Sequence, residues 1–467
     1  MQQSPKPNPS ADPSDSALAL LRPRAALALA LSFAAAMAVT HVSALAICAA
    51  ASIDNCPRYW PISVFELRAP PRLYYPNLTH VLIAVGLTTT FVLAIVLLRR
   101  IHYPWYLVTT LGFIVILGSN LAQGWQYGIR RPTDGLGLRT NQYYHDALKI
   151  NDPVEFFSNF TRYQADLQTH SRSHPPGAVL SYFLLAKYLR DPAAISIVIA
   201  AIATLVSSTS LYLLIGRTIG KPNAGYVLLL FLVLPAVQIY FLASLDALIV
   251  GFALLSLSLV MSERSVATSI AGGLSLFVLS LLTFAFVFVV AILLYVWLRS
   301  RQRRDSFPVG IATLLAAHVL TSAVTHFSYI ESFAIASAME NPQGYRLLLD
   351  PVTFALTRLE GLAELALFAG PFMLAASYLG WKRREPSSEL SHVTEGGVAA
   401  LLLMLLAGVF RTGETARAAM FVYPILILPI GYAIDTEARH PSTAATVLLA
   451  LVFAQGLLMQ LAGNYFW

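Results

Sequence analysis

Charge is what this chain has least of. Asp, Glu, Lys and Arg together make up 12% of its 467 residues, where a water-soluble domain carries about 25%. That shortage excludes a surface that mostly faces water. Cysteine is nearly absent: Cys48 and Cys56 are the only two, too few for a disulfide framework, and their C-x7-C spacing is no metal signature. There is no internal repeat and no glycine-rich nucleotide-binding motif. The short alternating segments of an outer-membrane barrel are missing as well. What fills the chain is apolar, 57% hydrophobic residues, in runs of about twenty that recur from end to end, the length at which a helix crosses hydrocarbon. Composition therefore predicts an all-α fold, a polytopic membrane helix bundle.

The net charge of +7 reads as the Lys/Arg bias of cytoplasmic loops and calls for no nucleic-acid partner. Residues 1–24, rich in Pro, Ser and Asp, read as a disordered cytoplasmic tail. About 13 spans follow, near 25–50, 79–98, 105–122, 193–215, 224–240, 242–260, 266–281, 283–298, 308–328, 361–380, 396–410, 418–434 and 443–464. Cationic clusters orient them: Arg22/Arg24, Arg99/Arg100, Arg217/Lys221, Arg299 with Arg301, Arg303 and Arg304, Lys382–Arg384, and Arg439. With these inside, segments 51–78, 123–175, the turn Ser244–Asp246, 329–360 and Arg411–Arg417 lie outside. The apolar stretch 176–189 is short for a crossing and reads as a re-entrant or partly inserted helix, which keeps this parity; the alternative is a true span with the count off by one elsewhere. Asn77-Leu78-Thr79 and Asn159-Phe160-Thr161 match the glycosylation pattern and lie on the outside segments.

Segment 123–175 is far longer than a linker needs to be. It concentrates Asp134, Tyr143, Tyr144, His145, Asp146, His170, Arg172 and His174. Phe156, Phe157, Phe160 and Tyr163 recur at helical spacing, which suits short helices on the membrane surface. In His170-Ser171-Arg172-Ser173-His174-Pro175-Pro176-Gly177 the prolines stop one helix and suit the first turn of the next. Two histidines and an arginine there have the chemistry to bind phosphate; the plain alternative is a basic cluster snorkelling to the interface. Asp146, with Asp134 as its rival, fits a general base or a ligand for a divalent ion; a solvated loop aspartate is the alternative for either. Asp246, between two strongly apolar spans, is costly unless it meets a partner. Arg411 and Arg417 flank Glu414 in a short hairpin, where arginine forks match phosphate oxygens and Glu414 can hold one of them. Glu331, Glu340, Asn341, Arg346, Asp350, Arg358, Glu360 and Glu364 form a second tier, and Glu360 and Glu364 share one helical face.

Taken in order, Tyr143–Ala147, His174-Pro175-Pro176-Gly177, Pro235 through Asp246, and Gly413-Glu414-Thr415-Ala416-Arg417 with Phe421 and Pro424 resemble the GT-C polytopic glycosyltransferases. The nearest branch holds the protein O-mannosyltransferases and aminoarabinose transferases. The resemblance covers residues 105–435, leaving 25–104 as additional N-terminal spans and 436–467 as a C-terminal span. It departs from the family in having three spans before the long loop and no Asp-Glu pair early in it. It implies a large first catalytic exoplasmic loop in a multi-pass membrane protein with a cytoplasmic N-terminus. It also implies inverting transfer of a sugar from a polyprenyl-phosphate donor to a hydroxyl of a glycan, lipid or protein. On that reading Asp146 or Asp134 is the catalytic base, and Arg172, His174, Arg411 and Arg417 bind the donor phosphate. Asp246, Glu414, His170 and Tyr144 support them. Some relatives use a divalent metal such as Mg or Mn and others none; the sequence does not choose.

A transporter or lipid flippase is the rival from another class. It would place charges near the bilayer midplane on broken helices, whereas here the charges cluster at one surface; His318 and His326 are the exceptions. An acyltransferase acting on surface polysaccharide would centre on a buried histidine, a role His174 fits.

Overall fold

The computed structural model describes residues 23–50, 77–135, 142–242, 244–262, 265–300, 305–409, 414–433 and 443–463. Most of the tail at 1–24 and most of segment 51–78 lie outside these, as does Arg411. Every regular element among the described residues is a helix. Among the described residues, five helices are long and apolar enough to cross a membrane, or six if a bent pair counts as one span. The expected set of about 13 full-length spans is therefore not what the helices look like one by one. Several are shorter, and some are broken.

The elements that matter below are α1 (Pro23–Ala50), α2 (Leu78–Arg100), α3 (Trp105–Leu121), α4 (Tyr143–Ala147), α5 (Pro176–Leu189), α6 (Pro192–Ile219), α7 (Lys221–Leu232) and α8 (Pro235–Tyr240). They continue with α9 (Asp246–Val260), α10 (Val266–Leu282), α11 (Phe286–Arg299), α12 (Ser306–Thr325) and α13 (Tyr329–Glu340). The last are α14 (Pro351–Ala369), α15 (Pro371–Arg383), α16 (Glu389–Ala407), α17 (Thr415–Ala418) and α18 (Thr443–Ala462).

Two expected single spans are broken at proline. The run 224–240 divides into α7 and α8 where Pro235 cannot donate to the preceding turn. The run 361–380 divides at Gly370-Pro371, where α14 and α15 meet at 93°. Gly370 sits at φ +87°, a conformation open to glycine and strained for other residues. The stretch 418–434 is likewise a chain of short turns, Met420–Val422, Tyr423–Ile427 and Ile430–Ala433.

Side-chain contacts sort the helix ends into two sets. At one end Arg217 donates to the Met261 carbonyl (3.4 Å), and Glu395 takes Arg384 (3.1 Å) and Tyr295 (2.9 Å) with Arg299 at 4.0 Å. At the other, Gln123 donates to the Gln460 and Gly463 carbonyls, Gln164 to the Ser332 carbonyl, and His174 meets Leu282. The first set holds the cationic loops and the second the long polar segments.

Both ends of α5 belong to this second, loop-rich end. His174, before it, and Tyr144, whose hydroxyl donates to the Arg190 carbonyl after it (3.5 Å), both adjoin α4. So 176–189 runs alongside the loop, as a helix of about 21 Å, and α6 starts from the same side.

The core is one continuous cluster in which the outlying helices take part. Phe91 of α2 stacks on Phe453 of α18 at 4.0 Å. Buried amides join α3, α8 and α18: Asn120 donates to the Gln238 carbonyl (2.7 Å) and accepts from Gln460 (3.0 Å). Unpaired amides are costly where there is no water, so these bonds fix the register of three helices. On α12, Val319, Leu320 and Val324 are exposed, an apolar face suited to lipid.

Candidate active site

The site forms where several helix ends meet. A helix leaves its last four carbonyls without partners of its own, and α10 offers the Leu282 carbonyl at its end. His174 Nδ1 takes it at 2.9 Å. A carbonyl only accepts, so Nδ1 carries the proton and, in the neutral ring, Nε2 carries the lone pair. Gly177 makes this docking possible: a Cβ there would lie 2.5 Å from the Leu281 carbonyl oxygen. Proline 175, Pro176 and Gly177 thus bring the start of α5 directly onto the end of α10.

The next turn of chain to arrive is α17. Its first N–H groups, on Thr415 and Ala416, donate to the two carboxylate oxygens of Glu364 in α14, both at 3.2 Å. A distant residue therefore caps this four-residue helix, the work a local Asp or Ser does elsewhere. Held so, α17 projects Arg417 to Glu414 (Nη2 to Oε2, 3.1 Å) and to Asp246 (Nε to Oδ2, 3.4 Å). Asp246 stands in the first turn of α9, where the helix dipole favours an acid. Burial works against the charge on Arg417, but the Glu414 and Asp246 carboxylates outweigh it and hold the guanidinium above its usual range.

These groups line a cavity of about 160 Å³. Its wall comprises Gln142 and Tyr143 at the start of α4; His170, Ser173 and His174; Ser244 and Asp246; the Thr283–Ala285 turn; Glu340 at the end of α13; and Val409, Glu414, Arg417 and Ala418. Tyr143 organises the histidines. It stacks on Tyr182, meets His174 edge-on at 5.5 Å and lies 6.1 Å from His170. Burial and the Asp246 charge push the Tyr143 phenol well above its ordinary range. Burial pushes the His174 imidazole below its ordinary range, against the pull of the Leu282 hydrogen bond and the Asp246 charge.

The residues expected from the sequence divide accordingly. His170, His174, Asp246, Glu414 and Arg417 come together in the cavity. Asp146, Asp134, Arg172 and Tyr144 are not in its wall. Both oxygens of the buried Asp146 are engaged, one by Lys149 Nζ (2.9 Å) and one by the Gln168 backbone N–H (2.8 Å). Asp134 is paired with Arg130 at 2.7 Å, and its backbone carbonyl accepts from His145 Nε2. The Arg172 carbonyl accepts from Gln164, which fixes the backbone before His174. The loop acids therefore fasten the segment that carries the histidines, and the cavity acids come from later in the chain.

Glu340, a second-tier candidate in the sequence, joins the first tier. The Thr283–Ala285 turn and the Leu282 carbonyl went unremarked because a backbone acceptor leaves no mark in a side-chain pattern. Among the described residues no three His, Cys, Asp or Glu side chains are grouped to hold a metal ion. No protein-family model matches this chain, and no curated protein sequence matches it.

Proposed function

We propose that the chain is a membrane glycosyltransferase of the GT-C kind. It transfers a sugar from a polyprenyl-phosphate donor to an acceptor hydroxyl at the exoplasmic face, with inversion. In this reading the about 13 hydrophobic segments sit in the bilayer with short and broken helices packed among full spans. The cation-rich end, with Arg217, Arg299 and Lys382–Arg384, faces the cytoplasm by the positive-inside bias. The cavity then opens on the other side, where a lipid-linked donor can reach it and a cytoplasmic nucleotide sugar cannot.

The observation that carries the proposal is Arg417, held by Asp246 and Glu414 in a cavity that His170 and His174 also line. In the displacement, the acceptor oxygen bonds to the anomeric carbon as the bond from that carbon to the donor phosphate breaks. Charge grows on the departing phosphate oxygen, and a guanidinium already fixed by two carboxylates meets it without reorganising. The planar fork suits two phosphate oxygens at once. Asp146 and Asp134 serve by shaping the loop.

The test is transfer from radiolabelled polyprenyl-phosphate sugars by the purified chain in liposomes. Arg417→Ala is expected to lower turnover by about 10²–10³-fold, the range for losing one such charge-stabilising group. Transfer from no lipid-linked donor overturns the proposal.

One observation favours the transporter reading: buried Glu360 and Glu364 lie on α14, which breaks sharply at Gly370. Charged groups on broken helices mark transport pathways. Glu364, however, is occupied in capping α17, which accounts for its burial without transport. Substrate-driven counterflow in the same liposomes, with no sugar transfer, would decide for the transporter.

A further inference from the structure

We propose that His174 is the general base that takes the acceptor hydroxyl's proton, through Nε2. The inference rests on the transferase reading above and goes beyond it by moving the base from the loop aspartates to the histidine that starts α5.

The case begins with availability. A base must have a free lone pair within reach of the reacting hydroxyl. Asp146 has both oxygens engaged outside the cavity wall, and Asp134 is paired with Arg130. Within the cavity, Asp246 and Glu414 are committed to Arg417. A proton placed on either would weaken the ion pairs that hold the phosphate-binding fork.

His174 has the complementary arrangement. The Leu282 carbonyl holds Nδ1–H and so selects the tautomer whose lone pair is on Nε2. The bond also fixes the ring against rotation, as the orienting partner of a catalytic histidine does. Tyr143 packs edge-on against the ring.

The step balances. The hydroxyl oxygen forms its bond to the anomeric carbon, its proton passes to Nε2, and the electron pair of the breaking bond leaves with the phosphate. The resulting imidazolium lies among Asp246, whose charge favours it, Glu340, which does the same, and Arg417, which opposes it. Tyr143, His170 and Glu414, the last paired with Arg417, are the other titratable groups of the same wall. Burial keeps the ring neutral at neutral pH, so the base form is the resting form.

The deciding variant is His174→Asn, whose side-chain amide can occupy the Nδ1 position and donate to Leu282 while lacking any base at Nε2. His174→Gln serves as a companion that keeps polarity near Nε2 without its basicity. In liposomes with a radiolabelled polyprenyl-phosphate sugar, both are expected to lose about 10²-fold or more in kcat, the usual share of a general base, and to bind donor within a few-fold of the parent. The parent's kcat/KM is expected to fall on the acid side, at a pH below that at which an ordinary imidazole protonates, and this limb should vanish in His174→Asn. Added imidazole should restore part of the rate to His174→Ala.

Full turnover in His174→Asn overturns the inference and leaves the transferase reading standing. Loss of donor binding in parallel with turnover, with the acid limb intact, also overturns it by making His174 a phosphate ligand. No transfer by the parent chain overturns the transferase reading and this inference with it.

Discussion

Asp146 reads as catalytic in the sequence, and the structure engages both its oxygens outside the cavity wall. It stands in a Tyr-Tyr-His-Asp run on a long polar loop, and its burial is nearly complete at 1% exposure. Its two oxygens join Lys149 and the Gln168 N–H, pinning the start of the chain that leads to His170 and His174. Asp146→Asn is expected to cost about 1–3 kcal/mol of stability, the range for a buried charged acceptor weakened. It should leave kcat per folded molecule within about twofold. Thermal unfolding in detergent and single-turnover transfer measure the two separately. Arg417→Lys keeps the charge and loses the fork, so turnover should fall while folding holds. The sequence announced the cavity's histidines, arginine and later acids because charge is rare in so apolar a chain. It could not say which loop acid faces the cavity. In α4 every side chain but one is polar or aromatic, so no apolar stripe marks the buried side.

At the scale of elements, the sequence located the apolar runs well and their continuity poorly. Runs 224–240 and 361–380 each look like one span by hydropathy, yet Pro235 and Gly370-Pro371 divide them. Proline's missing N–H is visible in the sequence, but whether a helix kinks or stops there depends on what packs around the freed groups. The short helix α5 is the opposite case: its length alone argued against a crossing, and its two ends adjoin the same loop. Gly177→Ala should push α5 off the end of α10 and loosen the His174 to Leu282 bond. Transfer is then expected to drop by at least tenfold with a modest loss of melting temperature, read by the same two assays. Gly370→Ala combines a positive φ with a collision against the Gln455 side chain. It should destabilise the α14–α15 corner by about 1–3 kcal/mol, seen as a lower unfolding midpoint.

At the scale of the molecule, the contacts among the described residues divide the helix ends into a set that holds Arg217, Arg299 and Arg384 and a set that holds the long polar segments. What was not legible was how far the flanking helices enter the core. Residues 25–104 and 436–467 read as additions to a central unit, but Phe91 and Phe453 stack within it, and Gln123, Asn120, Gln238 and Gln460 bond across it. If the two ends face opposite compartments, Ile330→Cys, 82% exposed at the loop-rich end, and Lys382→Cys at the cationic end should label with impermeant thiol reagents from opposite sides. The background for both would be Cys48→Ser with Cys56→Ser. Labelling of both from one side would break the proposed topology.

The amide clasp between α3 and α18 also sets an order of events during synthesis. Asn120 and Gln123 enter the bilayer early, and the Gln460 side chain and carbonyl that they bond with are made some 340 residues later. The Asn120 amide can bond to Ile116 and Gln238 beforehand, but the Asn120 side-chain oxygen and the Gln123 amide meet these partners only when α18 arrives. The clasp therefore closes only once α18 is made, and a ribosome stalled before residue 443 would leave a polar seam for quality-control proteases to find.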